Sequence, residues 1–111
     1  KYSDEAFLKG EQELREKYGQ NARRPASDYV SIIIELLNAE NSLGAITVYK
    51  RAAEAYPKYI MFLNTLATLY EKTNQIDKAI ETYKSAIEVS KKLKLGNEEG
   101  YQKEIERLEK K

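Results

Sequence analysis

The chain contains no histidine and no cysteine, so the side chains that most often carry proton transfer and nucleophilic attack near neutral pH are missing. Carboxylates, lysines, arginines and hydroxyls remain. Of the serines, Ser3, Ser27, Ser31, Ser42, Ser85 and Ser90, none lies in a Gly-x-Ser-x-Gly elbow, and most fall at expected caps, turns or helix faces. No glycine-rich phosphate loop is present. Glu11, Glu13 and Glu16 do not space into a metal set, and without His or Cys a transition metal would find only hard oxygen ligands. Arg23-Arg24 beside Pro25 could meet phosphate or an acidic partner, but paired arginines in a polar loop are more often simply solvated. Lys91, Lys92 and Lys94 read as a helix-end charge cluster. These features predict a non-enzymatic chain with no cofactor and no metal.

Composition points the same way. Nineteen basic residues against eighteen acidic ones leave a net charge of +1, whereas a nucleic-acid surface needs clustered excess positive charge. No nucleic-acid or membrane partner is expected, because no run reaches the apolar length of a membrane-spanning helix. An apolar content of 41% with 33% charged residues in 111 residues suits one soluble helical domain. The chain starts at Lys1 and its only methionine is Met61, which reads as a piece of a longer protein. The absence of cysteine leaves the compartment open.

The elements follow from punctuation and period. Ser3-Asp4-Glu5 opens a first helix with a capping hydroxyl and first-turn acids. Ala6, Phe7, Leu14 and Tyr18 share one face, and Gly19 supplies the stop. After a polar connector, a second helix opens at Pro25 or Ser27 and runs to about Ala39. A third runs from about Leu43 to Tyr56, where Pro57 breaks it. A fourth covers about Lys58 to Lys72, and a fifth runs from about Ile76 past Lys92. Asn97 is a plausible cap for a last helix, Glu98 to Lys110, with a narrow apolar stripe of Tyr101, Ile105 and Leu108.

One pattern organises these pieces. Ala45-Ile46-Thr47-Val48-Tyr49-Lys50-Arg51-Ala52-Ala53-Glu54 returns 34 residues later as Ala79-Ile80-Glu81-Thr82-Tyr83-Lys84-Ser85-Ala86-Ile87-Glu88. A helical pattern at that period resembles the tetratricopeptide repeat. Leu63, Leu66, Ala67 and Tyr70 match the first-helix motif of that family, and Ala79, Tyr83 and Ala86 the second. Upstream, Tyr29, Ile32, Leu36, Ala45, Tyr49, Ala52 and Pro57 take the same places. Ile33 stands where the family has a small residue, so the first pair should pack wider, and Lys91 replaces the usual proline, so the fifth helix should extend. The resemblance implies an all-α, antiparallel array of helical hairpins, a TPR-like α-solenoid of about six helices. Its expected divisions are residues 1–24 as helix and connector, units at about 25–58 and 59–94, and 97–111 as a capping helix. A shorter resemblance accompanies it. Leu14-Arg15-Glu16-Lys17-Tyr18-Gly19, a proline soon after, and two such repeats are similar to the C-terminal tail of bacterial serine hydrolases, both esterase-like and β-lactamase-like. That would place any catalytic residues upstream, with none carried here.

The first helix of each pair lines the groove of such an array. The lining expected from the alignment is Val30, Ile34 and Leu37, then Met61, Asn64, Thr68 and Glu71. Family members that clamp carboxylate tails carry Lys, Arg and Asn there, so the apolar first unit argues against that ligand. Two readings of Val30, Ile34 and Leu37 stay open. The N-terminal helix covers them with Phe7, Leu14 and Tyr18, or they form an exposed patch for a protein or peptide, a parent domain on the same polypeptide, or a second copy in a weak homodimer. The expected role is protein interaction or scaffolding; the alternative is a structural appendage of a hydrolase.

Overall fold

Ser3 begins the first helix as expected, its hydroxyl accepting the Ala6 amide at 3.1 Å. Gly19, with φ of 107°, ends that helix by donating to the Arg15 carbonyl at 2.8 Å. The computed structural model describes residues 2–111. Its elements are α1 (Asp4–Tyr18), α2 (Ala26–Asn38), α3 (Ser42–Ala55), α4 (Ile60–Lys72), α5 (Ile76–Leu93) and α6 (Glu98–Glu109). There is no strand among the described residues. The fourth helix starts two residues later than the sequence suggested, because Pro57 and Lys58 form a turn and Tyr59 takes the cap position.

Successive helices from α2 to α6 pack on one another. Asp4 accepts from Thr47 and Glu11 from Arg51, so contacts advance together along α1 and α3 and the two run parallel. The molecule measures 44 × 31 × 19 Å, and the short dimension is that of two helix layers.

What lets the layers close is the small size of the side chains at the crossing positions. Ala45, Ala52, Ala67, Ala79 and Ala86 are all 0% exposed. Small residues at a crossing allow helix axes to approach, and neighbouring ridges then fill the grooves. Tyrosines occupy what remains: Tyr29, Tyr70 and Tyr83 are buried beside the alanines. α4 and α5 make the most extensive contact of the series and α2 with α3 the least. That order agrees with Ile33, buried in α2 where Ala67 sits in α4. Aromatic rings also link the layers in sequence, from Phe7 to Tyr29, Tyr56, Tyr59 and Phe62, with centroids 5.2–6.3 Å apart.

The repeat extends to the turns. Glu40 and Asn74, one period apart, both adopt left-handed backbone, at φ of 58° and 62°. In each turn the next amide reaches back over the helix end: Asn41 to the Leu36 carbonyl at 2.8 Å, Gln75 to that of Tyr70 at 2.7 Å. This is the Schellman closure, which satisfies terminal carbonyls at the cost of one left-handed residue. Asparagine enters that conformation readily, whereas glutamate does so at a greater cost.

The α5–α6 turn differs from expectation. Asn97 occupies the cap position, but its side chain does not bond to the helix. Instead fully buried Ser90 accepts the Asn97 amide at 2.9 Å and donates to Glu98 at 3.1 Å. α5 does run past Lys91 and closes at left-handed Lys94.

Glu40→Gly tests the turn chemistry. It should raise the urea midpoint at unchanged m-value, by about 0.5–1 kcal/mol of stability, because glycine removes the left-handed strain. A loss would mean that the Glu40 side chain itself holds the turn.

Candidate functional site

Along α2, Tyr29, Ile33 and Leu36 are buried, while Val30, Ile34 and Leu37 lie on the opposite face. A helix with apolar residues on both faces can hide only one against a single neighbouring layer. The N-terminal helix does not cover the second face. Ile34 is 53% exposed, and Val30 and Leu37 are exposed beside it. α1 instead packs on the Tyr29 side, because Phe7 is buried with its ring 6.2 Å from Tyr29. Tyr18 and Ala6, expected on the packed face, are exposed, and Leu14 is half-buried.

The equivalent face of α4 carries Met61, 72% exposed, with Asn64 and Thr68 also exposed. The hydroxyls of Thr65 and Thr68 donate to the carbonyls of Met61 and Asn64, at 2.9 and 3.1 Å. Their protons are thereby spent on the helix, and they offer only lone pairs outward. Glu71 has a different fate. Its carboxylate takes two bonds from Arg107 on α6, at 2.8 and 2.9 Å, with Lys111 at 3.6 Å. Arg107 also bonds Glu104, at 3.0 Å. The forked geometry suits a guanidinium and a carboxylate. The Arg107 bonds hold the Glu71 carboxyl below its usual range. Thus Val30, Ile34, Leu37, Met61, Asn64 and Thr68 are open along α2 and α4, whereas Glu71 is committed to α6. Sequence reading missed Arg107, since a cation on a charged helix gives no sign of its partner.

A second cluster sits at the α1–α3 side. Glu11 is buried, accepting from the Tyr29 hydroxyl at 2.6 Å and from Arg51 Nε at 2.7 Å. Burial, and then the bond to Glu11, pushes the Tyr29 phenol above its ordinary range. The same carboxylate strengthens the hold of Arg51 on its proton. Arg23 and Arg24 are not simply solvated loop residues. Arg23 bonds the Ala55 carbonyl at 2.8 Å and lies 4.4 Å from the Tyr56 ring centre. Arg24 bonds the Phe7 carbonyl at 3.0 Å and covers the Phe7 ring. The bare Cα of Gly10 makes room for it, as a Cβ there would come within 2.7 Å of its guanidinium. Tyr56 in turn donates to the Arg24 carbonyl at 2.7 Å. One signal was available in the sequence: Glu11 falls one turn after Phe7 and one before Leu14, inside the apolar stripe of α1.

Residues 48–81, one full period running from within α3 through α4 into α5, match the family model of the tetratricopeptide repeat. These 34 residues are similar to one tetratricopeptide repeat. No curated protein and no solved structure matches it, and the shorter resemblance to hydrolase tails gains no support from these comparisons. The matched stretch joins the two hairpins, the same period cut in another frame. Tetratricopeptide repeats stack into extended concave surfaces that bind other proteins, and they are typically non-catalytic. Among the described residues of the domain, no helix is long and apolar enough to cross a membrane, and Glu11, Glu13 and Glu16 do not gather into a metal-holding group.

Two substitutions test the ion pairs of the repeat domain. Glu11→Leu leaves the Tyr29 hydroxyl and Arg51 without their acceptor and should cost about 1–3 kcal/mol in urea unfolding. Glu71→Gln should lower stability at pH 7. A carboxyl whose folded-state titration lies below its unfolded value stabilises fully above the unfolded value, near 4.5, and loses that contribution as pH falls through the folded one. The difference from the parent protein should therefore be constant above pH 5 and vanish in strong acid. A difference unchanged by acid would assign the effect to packing.

Proposed function

We propose that this domain is a protein-interaction module that holds an apolar-faced peptide or protein segment against α2 and α4. The observation that supports this is the stripe of Val30, Ile34 and Leu37, at helical spacing and left in water although α1 is available to pack. Met61 continues it on the next unit. An uncovered apolar stripe on a folded array, rimmed by amide and hydroxyl groups, is the usual mark of a binding surface. Asn64 and Thr68 would take polar groups of the segment, while Glu71, already paired with Arg107, would set one edge of the groove.

The size of the stripe favours a segment over a large partner. Four apolar side chains fall well short of the roughly 20–30 residues a side found in stable protein–protein interfaces. A second copy seated on the same face would form only a weak dimer. An amphipathic helix, by contrast, binds through three or four apolar anchors. The proposed units remain about 25–58 and 59–94, with residues 1–24 and 97–111 flanking them.

Ile34→Asp separates binding from folding. Ile34 is half in water, so the variant should unfold within about 0.5 kcal/mol of the parent, in the range of surface substitutions. Peptides selected by display on the parent domain should lose at least tenfold affinity for it, read by fluorescence polarisation. Selected peptides that bind both proteins equally would sink the groove assignment, and loss of the folded state would place Ile34 in the core.

A further inference from the structure

Arg15, Arg23 and Arg51 line a cavity of about 380 Å³ between the end of α1, the connector that follows it, and α3. Gln20 and Asn21 close one side, and Glu11 and Glu54 supply the only carboxylates in its lining. The cavity lies at the opposite side of α2 from the exposed stripe, against buried Tyr29, so it is separate from the proposed groove.

We propose that this cavity binds a phosphoryl group, either free phosphate or the phosphate of a modified side chain. The argument is a count of donors and acceptors. Both oxygens of Glu11 are taken, one by Arg51 and one by Tyr29, and the Tyr29 proton is spent on the same carboxylate. Glu54 stands exposed at the rim, 3.4 Å from Arg51. The acceptors of the lining are therefore engaged or solvated, while donors remain. Arg23 uses one nitrogen on the Ala55 carbonyl and keeps its others. Arg51 uses Nε and one terminal nitrogen, leaving the second. Half-buried Arg15 makes no side-chain hydrogen bond or ion pair among the described residues, so all five of its N–H groups are free.

Three guanidiniums against two carboxylates leave one positive charge in excess. Arginines contributed to the lining by α1, the connector and α3 suit a tetrahedral oxyanion, which accepts from several directions, better than a flat carboxylate, which one fork satisfies. The volume exceeds that of phosphate alone, so a phosphorylated side chain has room for its carbon stem. Arg15 is the group to vary, because Arg23 and Arg51 also hold the fold.

The test is calorimetric titration of the whole chain at constant ionic strength with inorganic phosphate and, separately, with O-phosphoserine. The Nε–H signals of the arginines are followed by NMR. Saturable binding of either probe with shifts at Arg15, Arg23 and Arg51 supports the site. Tighter binding of O-phosphoserine assigns it to modified side chains, and equal binding assigns it to the free anion. Arg15→Gln should weaken binding at least tenfold without moving the urea midpoint, whereas Lys103→Gln on α6 should leave it unchanged. Absence of saturation by both probes at millimolar concentration, or parental affinity in Arg15→Gln, overturns the proposal.

Discussion

The repeat domain rests on one constraint: where helices cross, at Ala45, Ala52, Ala67, Ala79 and Ala86, no side chain larger than a methyl fits. These positions are completely removed from water. Their spacing within α3 and α5 puts each pair two turns apart on one face, so a single seam carries both crossings. Close approach brings Tyr29, Tyr70 and Tyr83 into dry surroundings. It also fixes which side of α2 faces inward, and so leaves Val30, Ile34 and Leu37 outside. The exposed stripe and the alanine seam are two faces of one packing decision.

The flanking helices are attached by other means. α1 presents no alanine seam to the array and reaches it through long side chains: Phe7 as an apolar plug, Glu11 as an acceptor, and Arg24 crossing at Gly10. α6 buries Ile105 and Leu108, and Arg107 reaches to Glu71. Repeat arrays need ends with a polar outer face, since an uncovered apolar end would continue to stack. Here polar bonds supplement apolar packing at both flanks, through Glu11 and Arg24 at α1 and Arg107 at α6. Directional bonds tolerate less positional error than apolar contact, and they are the places where one altered residue strands a partner.

Much of this was legible in the sequence because periodicity survives translation into structure. The 34-residue period located α3 and α5, Pro57 located their interruption, and Ser3 and Gly19 bounded α1. The period also carried Val30, Ile34, Met61, Asn64 and Thr68 to an open face, because register on a helix follows from spacing alone. What stayed hidden depends on distance in space. Nothing near Glu71 announces Arg107 on α6, and nothing in the connector announces that Arg23 will meet the end of α3. The cover for the stripe was open for the same reason: α1 has an apolar face, but which side of α2 it meets depends on the Glu11–Tyr29–Arg51 bonds. Those bonds join residues up to 40 positions apart.

As the proposed binding surface, the stripe could hold only what its apolar area supports. Fully burying an aliphatic side chain contributes about 1.5–3 kcal/mol, and Val30, Ile34, Leu37 and Met61 are already covered over about half their surface. Some 3–6 kcal/mol remains to be gained, comparable to the lower estimates, about 4 kcal/mol and upward, for the translational and rotational freedom lost on association. Apolar contact alone therefore gives weak capture. A segment held tightly must add hydrogen bonds at Asn64 and the Thr68 lone pairs, or arrive already ordered. The proposed groove would favour a partner with a preformed helix, and would discriminate by where that helix places its polar groups as well as its apolar ones.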